Sequence, residues 1–259
     1  MKRSRVIGMV KNVRNFPAYL LHKWGIAKQD PFLLRAKNGV VVEVPTRMMH
    51  TAKEVFFTDD YRFDLIRDTV LKLSNSPVIV DVGANVGYLS AFAFTRFPQA
   101  KVVAVEPIPA NISLLEKNRK LNCDRDWTIV EGVLSDKDAE VEIQFDTSDS
   151  FTTSASMYGL DSGNDLLKVK SKKLTSIMEE MSIESIHILK LDCEGAEYDI
   201  LYCLNSDELN DIAFITMETH QIDEERRNRD ALVSWLKGKG WKTDVIRSKV
   251  LATNPNFIG

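Results

Sequence analysis

Two pairs of titratable residues follow apolar runs of the sequence and could do chemistry together. Asp192 and Glu194 come directly after "ILKL", and Glu218 and His220 stand in "ITMETH". Carboxylates grouped where a buried strand ends cost free energy unless a charged ligand, a metal ion or proton transfer makes use of them. Helix capping by Asp192 or Glu194 is the structural alternative, and it explains one acid more easily than both. The four residues are therefore candidates for binding a charged group or for moving a proton.

A glycine loop, "DVGANVG", begins where the apolar run "VIV" ends. Gly83 and Gly87 allow a tight turn and the close approach of a ligand. A dinucleotide-binding loop reads G-x-G-x-x-G, whereas here Asn85 replaces the middle glycine. Asp81 would repel a pyrophosphate at this place but would attract a cation. The loop therefore favours S-adenosylmethionine, which carries a sulfonium and an ammonium and no phosphate, and disfavours an NAD-dependent oxidoreductase.

Glu106 ends the next apolar run, "VVAV", 25 residues after Asp81. An acid at this position can accept hydrogen bonds from both ribose hydroxyls of a nucleoside and would repel a 2′-phosphate. Pro107 and Pro109 then fix the turn into a helix. A favourable interaction with the dipole of that helix is the structural alternative for Glu106.

The composition excludes several classes of protein. Of the 259 residues, 44% are hydrophobic and 27% are charged, as in ordinary soluble domains. The net charge of −3 disfavours a nucleic-acid partner. Cys123, Cys193 and Cys203 form no CxxC pair, so reduced thiols in the cytoplasm are expected. No apolar run approaches the ~18 residues that a membrane span needs.

The alternation of strand-like and helix-like segments predicts a doubly wound α/β domain over residues 62–259, with a mostly parallel sheet. Ligands bind such sheets at the carboxyl ends of the strands, where the strand order reverses. Residues 1–61 form an extension with a hairpin over Arg35 to Pro45, turned at Asn38-Gly39. Its first helix is basic and amphipathic, so it packs on the domain or lies on a membrane surface as a peripheral contact.

Several segments, taken together, resemble the FkbM-type family of S-adenosylmethionine-dependent methyltransferases. They are "VDVGANVGYLS", "VVAVEPIPANISLLEKN", "VEGVLSDKD", "LKLDCEGAEYDIL" and "ITMETH", and "AKEVFFTDDY" is similar to the family's approach to the domain through a glutamate and a tyrosine. The resemblance implies the class I methyltransferase fold with a seven-stranded sheet. It also implies an adenine contact near Val133. The cofactor contacts that follow are expected at Asp81, Gly83, Ala84, Asn85, Gly87, Tyr88, Glu106, Pro107, Val133 and Asp192.

The resemblance favours O-methylation of a hydroxyl on a sugar or glycan, a glycolipid or a secondary metabolite. An aliphatic hydroxyl needs a base or a metal at neutral pH. We expect His220 or Asp192 to take the proton, with Glu194 and Glu218 orienting the acceptor. A divalent ion on Asp192 and Glu194 is possible but not predicted. N-methylation of an amide or peptide side chain and a non-catalytic S-adenosylmethionine-binding module are the alternatives.

The remaining expectations concern residues away from these motifs. Cys193 is interpreted as a small buried hydrophobe, and His22, His50 and His187 as ordinary structural histidines. Specificity for the acceptor is expected in the extension and in the Ser-, Thr-, Asp- and Gly-rich segment 146–165. The oligomeric state does not follow from the sequence.

Overall fold

The computed structural model describes residues 2–27, 29–145, 151, 157 and 165–258. Nearly all of the expected specificity segment 146–165 lies outside the described residues. The helices are α1 (Lys2–Asn12), α2 (Phe16–Lys23), α3 (Met49–Thr58), α4 (Phe63–Leu73), α5 (Tyr88–Arg96), α6 (Pro109–Leu121), α7 (Leu174–Glu180), α8 (Glu197–Tyr202), α9 (Ser206–Asn210), α10 (Arg229–Gly238) and α11 (Pro255–Ile258). The strands are β1 (Phe32–Arg35), β2 (Val41–Val44), β3 (Val78–Val82), β4 (Lys101–Glu106), β5 (Asp126–Glu131), β6 (Val133–Leu134), β7 (Ala139–Phe145), β8 (Asp165–Lys172), β9 (Ile186–Leu191), β10 (Ile212–Glu218), β11 (Lys242–Ile246) and β12 (Lys249–Thr253).

A seven-stranded sheet in the order β11–β12–β10–β9–β3–β4–β5 forms the centre of the domain. The strands from β10 to β5 pair in parallel, and β12 and β11 pair antiparallel at one edge. Successive residues of β3 point to opposite faces, so Ile79 lies in one buried apolar cluster and Val80 in the other. The doubly wound, mostly parallel, seven-stranded fold is therefore confirmed. The strand order reverses between β3 and β9, which places the expected ligand site at the carboxyl ends of these two strands.

A second, three-stranded sheet in the order β6–β8–β7 lies beside the main one. Its strand β7 is the polar segment "AEVEIQF", and it pairs antiparallel with β8. Opposite charges face each other in this pairing, with Glu140 opposite Lys170 and Glu142 opposite Lys168. The sequence patterns did not predict β8, whose apolar residues are mixed with lysines.

The N-terminal extension packs on the domain through aromatic side chains. The predicted hairpin is present as β1 and β2, with its turn at Asn38, which has a φ of 65°, but its first strand lies earlier than predicted, over Phe32–Arg35. Phe56 of α3 contacts Phe92 of α5 edge to face, with ring centroids 5.5 Å apart. Tyr19 of α2 meets Phe57 of α3 in the same way at 5.1 Å. Helix α3 thus connects the extension to the main core.

Helix α10 begins later than the sequence pattern predicts. The apolar spacing of the sequence indicates a helix from Glu225 to Lys239, whereas the helix spans Arg229–Gly238. The Asp223 carboxylate accepts hydrogen bonds from the backbone N–H groups of residues 225, 226 and 227, which holds this stretch in a turn. Asn228 then caps the helix by accepting from the Ala231 N–H at 2.9 Å.

None of the helices in the described ranges is long and apolar enough to cross a bilayer.

Candidate active site

Asp81 and Lys190 form a buried ion pair at the centre of the sheet. They are direct partners in the pairing of β3 with β9, and Lys190 Nζ lies 3.0 Å from Asp81 Oδ1. The same ammonium donates to the carbonyl oxygens of Val82 and Gly83 at 3.0 and 2.7 Å. Ser90 Oγ donates to Asp81 Oδ2 at 2.7 Å. Burial alone would lower the pKa of Lys190, but the charges of Asp81 and Asp192 raise it above its usual value, so Lys190 is an ammonium.

The glycine loop that follows β3 brings two strand ends together. Gly83 has a φ of 72°, and a Cβ there would lie 1.9 Å from the carbonyl oxygen of Asp192. Gly87 has a φ of 82°, and its Cβ would lie 2.3 Å from Leu115 Cδ1 of α6. Gly83 therefore permits the approach of β9 to the loop, whereas Gly87 makes room for helix packing.

Glu106 is held in place at the end of β4 by three donors. Its Oε2 accepts from the backbone N–H of Asn85 at 2.8 Å, and its Oε1 accepts from the Ile108 N–H at 3.0 Å and from Asn111 Nδ2 at 3.1 Å. Burial raises the pKa of Glu106, while these hydrogen bonds act in the opposite direction. Asn85 adopts a φ of 52°, a conformation that asparagine tolerates. The bond from Asn85 thus couples the glycine loop to the second strand end.

A narrow cleft lies over these strand ends. One part of its wall is apolar and comes from Ile108, Val133, Leu134, Ile143 and Met157. Three acids also line it, namely Glu106, Asp192 and Glu194. No lysine, arginine or histidine is among the described residues that line the narrow cleft. A cationic, non-phosphorylated ligand with a flat apolar group suits this apolar and acidic lining, and a pyrophosphate does not.

A second, polar cavity adjoins the narrow cleft and is bordered by α3 of the extension. All four predicted catalytic residues line it: Asp192, Glu194, Glu218 and His220. Gly83, Asn85, Asp192 and Glu194 line both spaces. The two acids of the "LDCEG" segment thus stand at the junction, where a group could pass from a ligand in the narrow cleft to one in the polar cavity.

The predicted cofactor residues fall into three groups. The narrow cleft is lined by Gly83, Asn85, Glu106, Pro107, Val133 and Asp192. Ala84 and Tyr88 line the polar cavity. Asp81 and Gly87 are absent from the described linings of both spaces. Asp81 is 1% exposed and paired with Lys190, so it does not present its charge to a ligand, contrary to the prediction. The negative charges that line the narrow cleft are those of the three acids.

His220 lies among three carboxylates. Its Nδ1 is 3.0 Å from Oε1 of the buried Glu197, and its Nε2 is 3.4 Å from Glu194 Oε2 and 4.0 Å from Asp192 Oδ1. Glu197 also accepts the backbone N–H groups of Cys193 and Gly195, both at 2.9 Å. Glu197 therefore organises the loop after β9 and fixes the imidazole at the same time.

The charges and the burial of this cluster raise the pKa values of His220 and Glu194. Burial lowers the pKa of His220, but the hydrogen bond and charge of Glu197, with Glu194 and Asp192, raise it to about 9. Burial and the neighbouring acids raise the pKa of Glu194 to about 7, although His220 opposes this. At neutral pH His220 is an imidazolium, and Glu194 is poised between its two forms.

Tyr61 and Lys249 complete the wall of the polar cavity. The Tyr61 hydroxyl donates a short hydrogen bond to Asp192 Oδ2. Lys249 Nζ lies 4.1 Å from the centroid of the Tyr61 ring and 3.1 Å from Glu218 Oε2. Glu218 also accepts from Ser248 Oγ at 2.8 Å. Glu218 is thus a paired, oriented carboxylate. Among the described residues, no group of three or more His, Cys, Asp or Glu side chains is arranged to hold a metal ion.

Residues 81 to 242 match the family model described as the methyltransferase FkbM domain, which covers more than half of the chain. The chain belongs to the FkbM methyltransferase family. It is therefore a methyltransferase, with a methyl donor of the S-adenosylmethionine type, and the NAD-dependent alternative is rejected.

Named relatives of this methyltransferase come from fungi and bacteria. "Methyltransferase 1" of Beauveria bassiana is 24% identical over 208 residues, which are 73% of this chain and 78% of that protein. The "31-O-demethyl-FK506 methyltransferase FkbM" of Streptomyces tacrolimicus is 23% identical over 215 residues, 73% of this chain and 79% of that protein. The crystal structure of methyltransferase FkbM from Methylobacillus flagellatus shares the fold, with a TM-score of 0.50 and 13% identity over 93% of this chain and 59% of that one.

Several residues of this methyltransferase site were not predicted from the sequence. Lys190 stands inside "ILKL", and a lysine in a run that is otherwise buried was the available signal for a paired charge. Glu197 stands in "LDCEGAEYDIL", and no sequence pattern there indicates its contact with His220. Tyr61 was indicated only by the family resemblance. His50 was expected to be an ordinary structural histidine, yet it lines the polar cavity.

Two other residues were interpreted as structural. Cys193 is half-buried in the lining of the narrow cleft, and burial, with the charges of Glu197 and Asp192, raises the pKa of its thiol, which favours the neutral form. His187 accepts a hydrogen bond from the Val78 N–H at 3.1 Å, and burial lowers its pKa. It serves the pairing of β3 with β9.

Proposed function

We propose that this methyltransferase transfers a methyl group from S-adenosylmethionine to a hydroxyl oxygen of a polar acceptor, such as a sugar or glycan, a glycolipid or a secondary metabolite. The observation that carries the proposal is the position of Glu194. Its carboxylate lines both the narrow cleft and the polar cavity, and its pKa is about 7. A base of this kind suits a hydroxyl acceptor, which is a poor nucleophile until its proton is removed.

The narrow cleft is the proposed donor site. When bound, S-adenosylmethionine supplies an already activated methyl group on a positively charged sulfur. The apolar wall that includes Val133 and Leu134 suits an adenine ring, and the fixed carboxylate of Glu106 suits the ribose hydroxyls. Gly83 and Asn85 line both spaces and border the path from one to the other. The acids of the cleft stabilise the cationic end of such a donor.

Proton removal is assigned to Glu194 and not to His220. The sequence-based hypothesis made His220 or Asp192 the base, but His220 is held as an imidazolium by Glu197 and its neighbours. An imidazolium donates hydrogen bonds, so His220 orients the acids and keeps Glu194 partly ionised. Asp192 accepts a hydrogen bond from the Tyr61 hydroxyl, which supports a role in orienting the acceptor.

The acceptor is proposed to bind in the polar cavity. Its described lining combines carboxylates, Tyr61, Lys190 and Lys249, which suits a ligand with several hydroxyl groups. The Streptomyces tacrolimicus relative is named for transfer to an oxygen, which supports the choice of a hydroxyl over an amide nitrogen.

The test is a panel of acceptors with S-adenosylmethionine, read out as release of S-adenosylhomocysteine and as the mass of the product. Sugar and polyhydroxylated acceptors should gain one methyl group on oxygen, and Glu194→Gln should lower kcat by about 10² to 10⁴. Glu225→Gln, at an exposed loop position, is the charge-matched control and should keep full activity. Products methylated on an amide nitrogen, or full activity of Glu194→Gln, would refute the proposal.

A further inference from the structure

The first part of the chain carries an exposed apolar and basic surface. Large apolar side chains are exposed at Val6, Ile7, Val10, Leu21, Trp24 and Ile26. The same stretch of sequence is basic at Lys2, Arg3, Arg5, Lys11, Arg14, Lys23 and Lys28, and the first acidic residue of the chain is Asp30. We call these six exposed apolar residues, together with Arg5 and Lys23, the N-terminal surface.

The two helices divide their apolar residues between the core and solvent. Met9 of α1 and Val13, the residue that follows the helix, are buried, whereas Ile7 of α1 is 64% exposed. If the amphipathic helix only packed on the domain, its apolar side chains would be buried and its charged side chains exposed. Here both charged and apolar side chains are exposed to solvent. The exposed apolar positions 6, 7 and 10 share one face of α1.

Helices α1 and α2 lie against the same part of α3. Gly8 of α1 is so close to α3 that a Cβ would lie 1.9 Å from the carbonyl oxygen of Phe57. Tyr19 of α2 packs on the ring of the same Phe57, at 5.1 Å between centroids. The exposed residues of the two helices therefore belong to elements that meet at Phe57 of α3.

Positive charges converge at this place. Lys53 of α3 lies over the Tyr19 ring at 5.8 Å. Burial lowers the pKa of Lys53, and the charges of Lys23 and Arg5 lower it further. Cations of three helices thus repel one another, and an anionic partner would relieve this repulsion.

We propose that the N-terminal surface binds the interface of a lipid bilayer that carries anionic headgroups. Exposed Ile and Val side chains with a tryptophan suit the boundary between headgroups and acyl chains, and the lysines and arginines suit anionic phosphate. A second copy of this chain fits less well, because the same cations would face each other across a dimer. A nucleic acid would match the charge but would leave the apolar side chains without a role.

The proposal is independent of the proposed methylation chemistry, since it concerns binding alone. It has one consequence for the site. Helix α3 contacts α1 through Phe57 and lines the polar cavity through His50, Thr51 and Glu54. Membrane binding would therefore place the polar cavity close to acceptors that are attached to lipids.

The test is sedimentation of the full chain with vesicles of phosphatidylcholine alone and with about 30% phosphatidylglycerol. Binding should require the anionic lipid, weaken as salt is raised, and fall by about tenfold or more in Ile7→Glu. Leu166→Glu is the matched control, because Leu166 is 61% exposed on β8, in the second sheet. It should bind like the parent chain. Circular dichroism establishes that both variants fold.

Three results would overturn the proposal. The first is equal binding of Ile7→Glu and Leu166→Glu, or equal binding to both kinds of vesicle. The second is a concentration-dependent dimer in sedimentation velocity that Ile7→Glu abolishes, which would assign the surface to a second copy. The third is tighter binding of a transfer RNA than of anionic vesicles, with loss in Arg5→Gln but not in Ile7→Glu.

Discussion

The Asp81 carboxylate and the Lys190 ammonium lie 3.0 Å apart, and their side chains are only 1% and 3% exposed. The pair joins β3 to β9 at the place where the strand order reverses, and Lys190 also holds the carbonyl groups at the start of the glycine loop. Asp81 is therefore part of the framework of the site. The negative charge that a cationic donor would meet comes from Glu106, Asp192 and Glu194.

Removing one member of this pair should destabilise the protein strongly. Lys190→Met leaves the Asp81 charge buried without its partner, which we expect to lower the free energy of unfolding by about 3–5 kcal/mol. Denaturant unfolding measures the change. Lys120→Met is the control, because Lys120 pairs with Glu116 on the surface at 3.2 Å and should cost less than about 1 kcal/mol. Equal effects of the two substitutions would contradict a buried ion pair.

Gly83→Ala should weaken cofactor binding by more than the strain of a positive φ alone would cause. The added Cβ would meet the Asp192 carbonyl oxygen, so the loop and the end of β9 must separate. Gly25 has a nearly identical φ of 71° but no neighbouring atom within 4 Å of a Cβ. Gly25→Ala should therefore show only the cost of the positive φ, about 1 kcal/mol. Calorimetric titration with S-adenosylhomocysteine should show binding lost in Gly83→Ala and retained in Gly25→Ala, and retained binding in both would contradict the prediction.

Local patterns predicted most of the main sheet because its strands are short apolar runs followed by glycine or acidic residues. They did not predict β8, because its lysines pair with the glutamates of β7 across a sheet that has no apolar signature. They also misplaced the start of α10. Asp223 captures three backbone N–H groups there, and a helical apolar pattern does not reveal such a turn.

That the four candidate residues line one cavity could be predicted, because all four stand at or just after the ends of β9 and β10. Their electrostatic state could not, because it depends on which charges meet in space. Glu197 and His220 are 23 residues apart in sequence, so no local pattern reveals the contact that makes His220 a cation. In the same way, the partner of Asp81 is 109 residues away in sequence, which exceeds the range of any local pattern.

Activity should have a bell-shaped pH dependence. Glu194 must be deprotonated to accept a proton, so kcat/KM should rise with pH until it levels above about 7. His220 must stay protonated to orient the acids, so the rate should fall again as pH passes about 9. Initial rates of S-adenosylhomocysteine release measure the profile. In Glu194→Gln the acidic limb should disappear, and a rate that is highest below pH 6 in the parent enzyme would contradict the assignment.

The Tyr61 hydroxyl should matter for turnover through Asp192. Tyr61→Phe keeps the ring beside Lys249 but removes the hydrogen bond to a carboxylate, a bond of the kind worth about 1.5–3 kcal/mol. We expect kcat/KM to fall by about 10- to 100-fold, with little change in the affinity for S-adenosylhomocysteine. Tyr202→Phe removes a hydroxyl that donates to the Arg226 carbonyl oxygen and should leave kcat/KM unchanged. An unchanged kcat/KM in Tyr61→Phe would exclude this positioning role.

The most direct measurement of the central claim is calorimetric titration of the protein with S-adenosylmethionine and with NAD, in the parent chain and in Glu106→Gln and Glu131→Gln. Glu131 ends β5 directly beside Glu106 in the sheet but lies outside the described lining of the narrow cleft. We predict that S-adenosylmethionine binds and NAD does not, and that affinity falls about tenfold in Glu106→Gln and stays constant in Glu131→Gln. Tighter binding of NAD would contradict an acidic cleft that disfavours a pyrophosphate, and the same affinity in both variants would contradict the role of Glu106 in binding the donor.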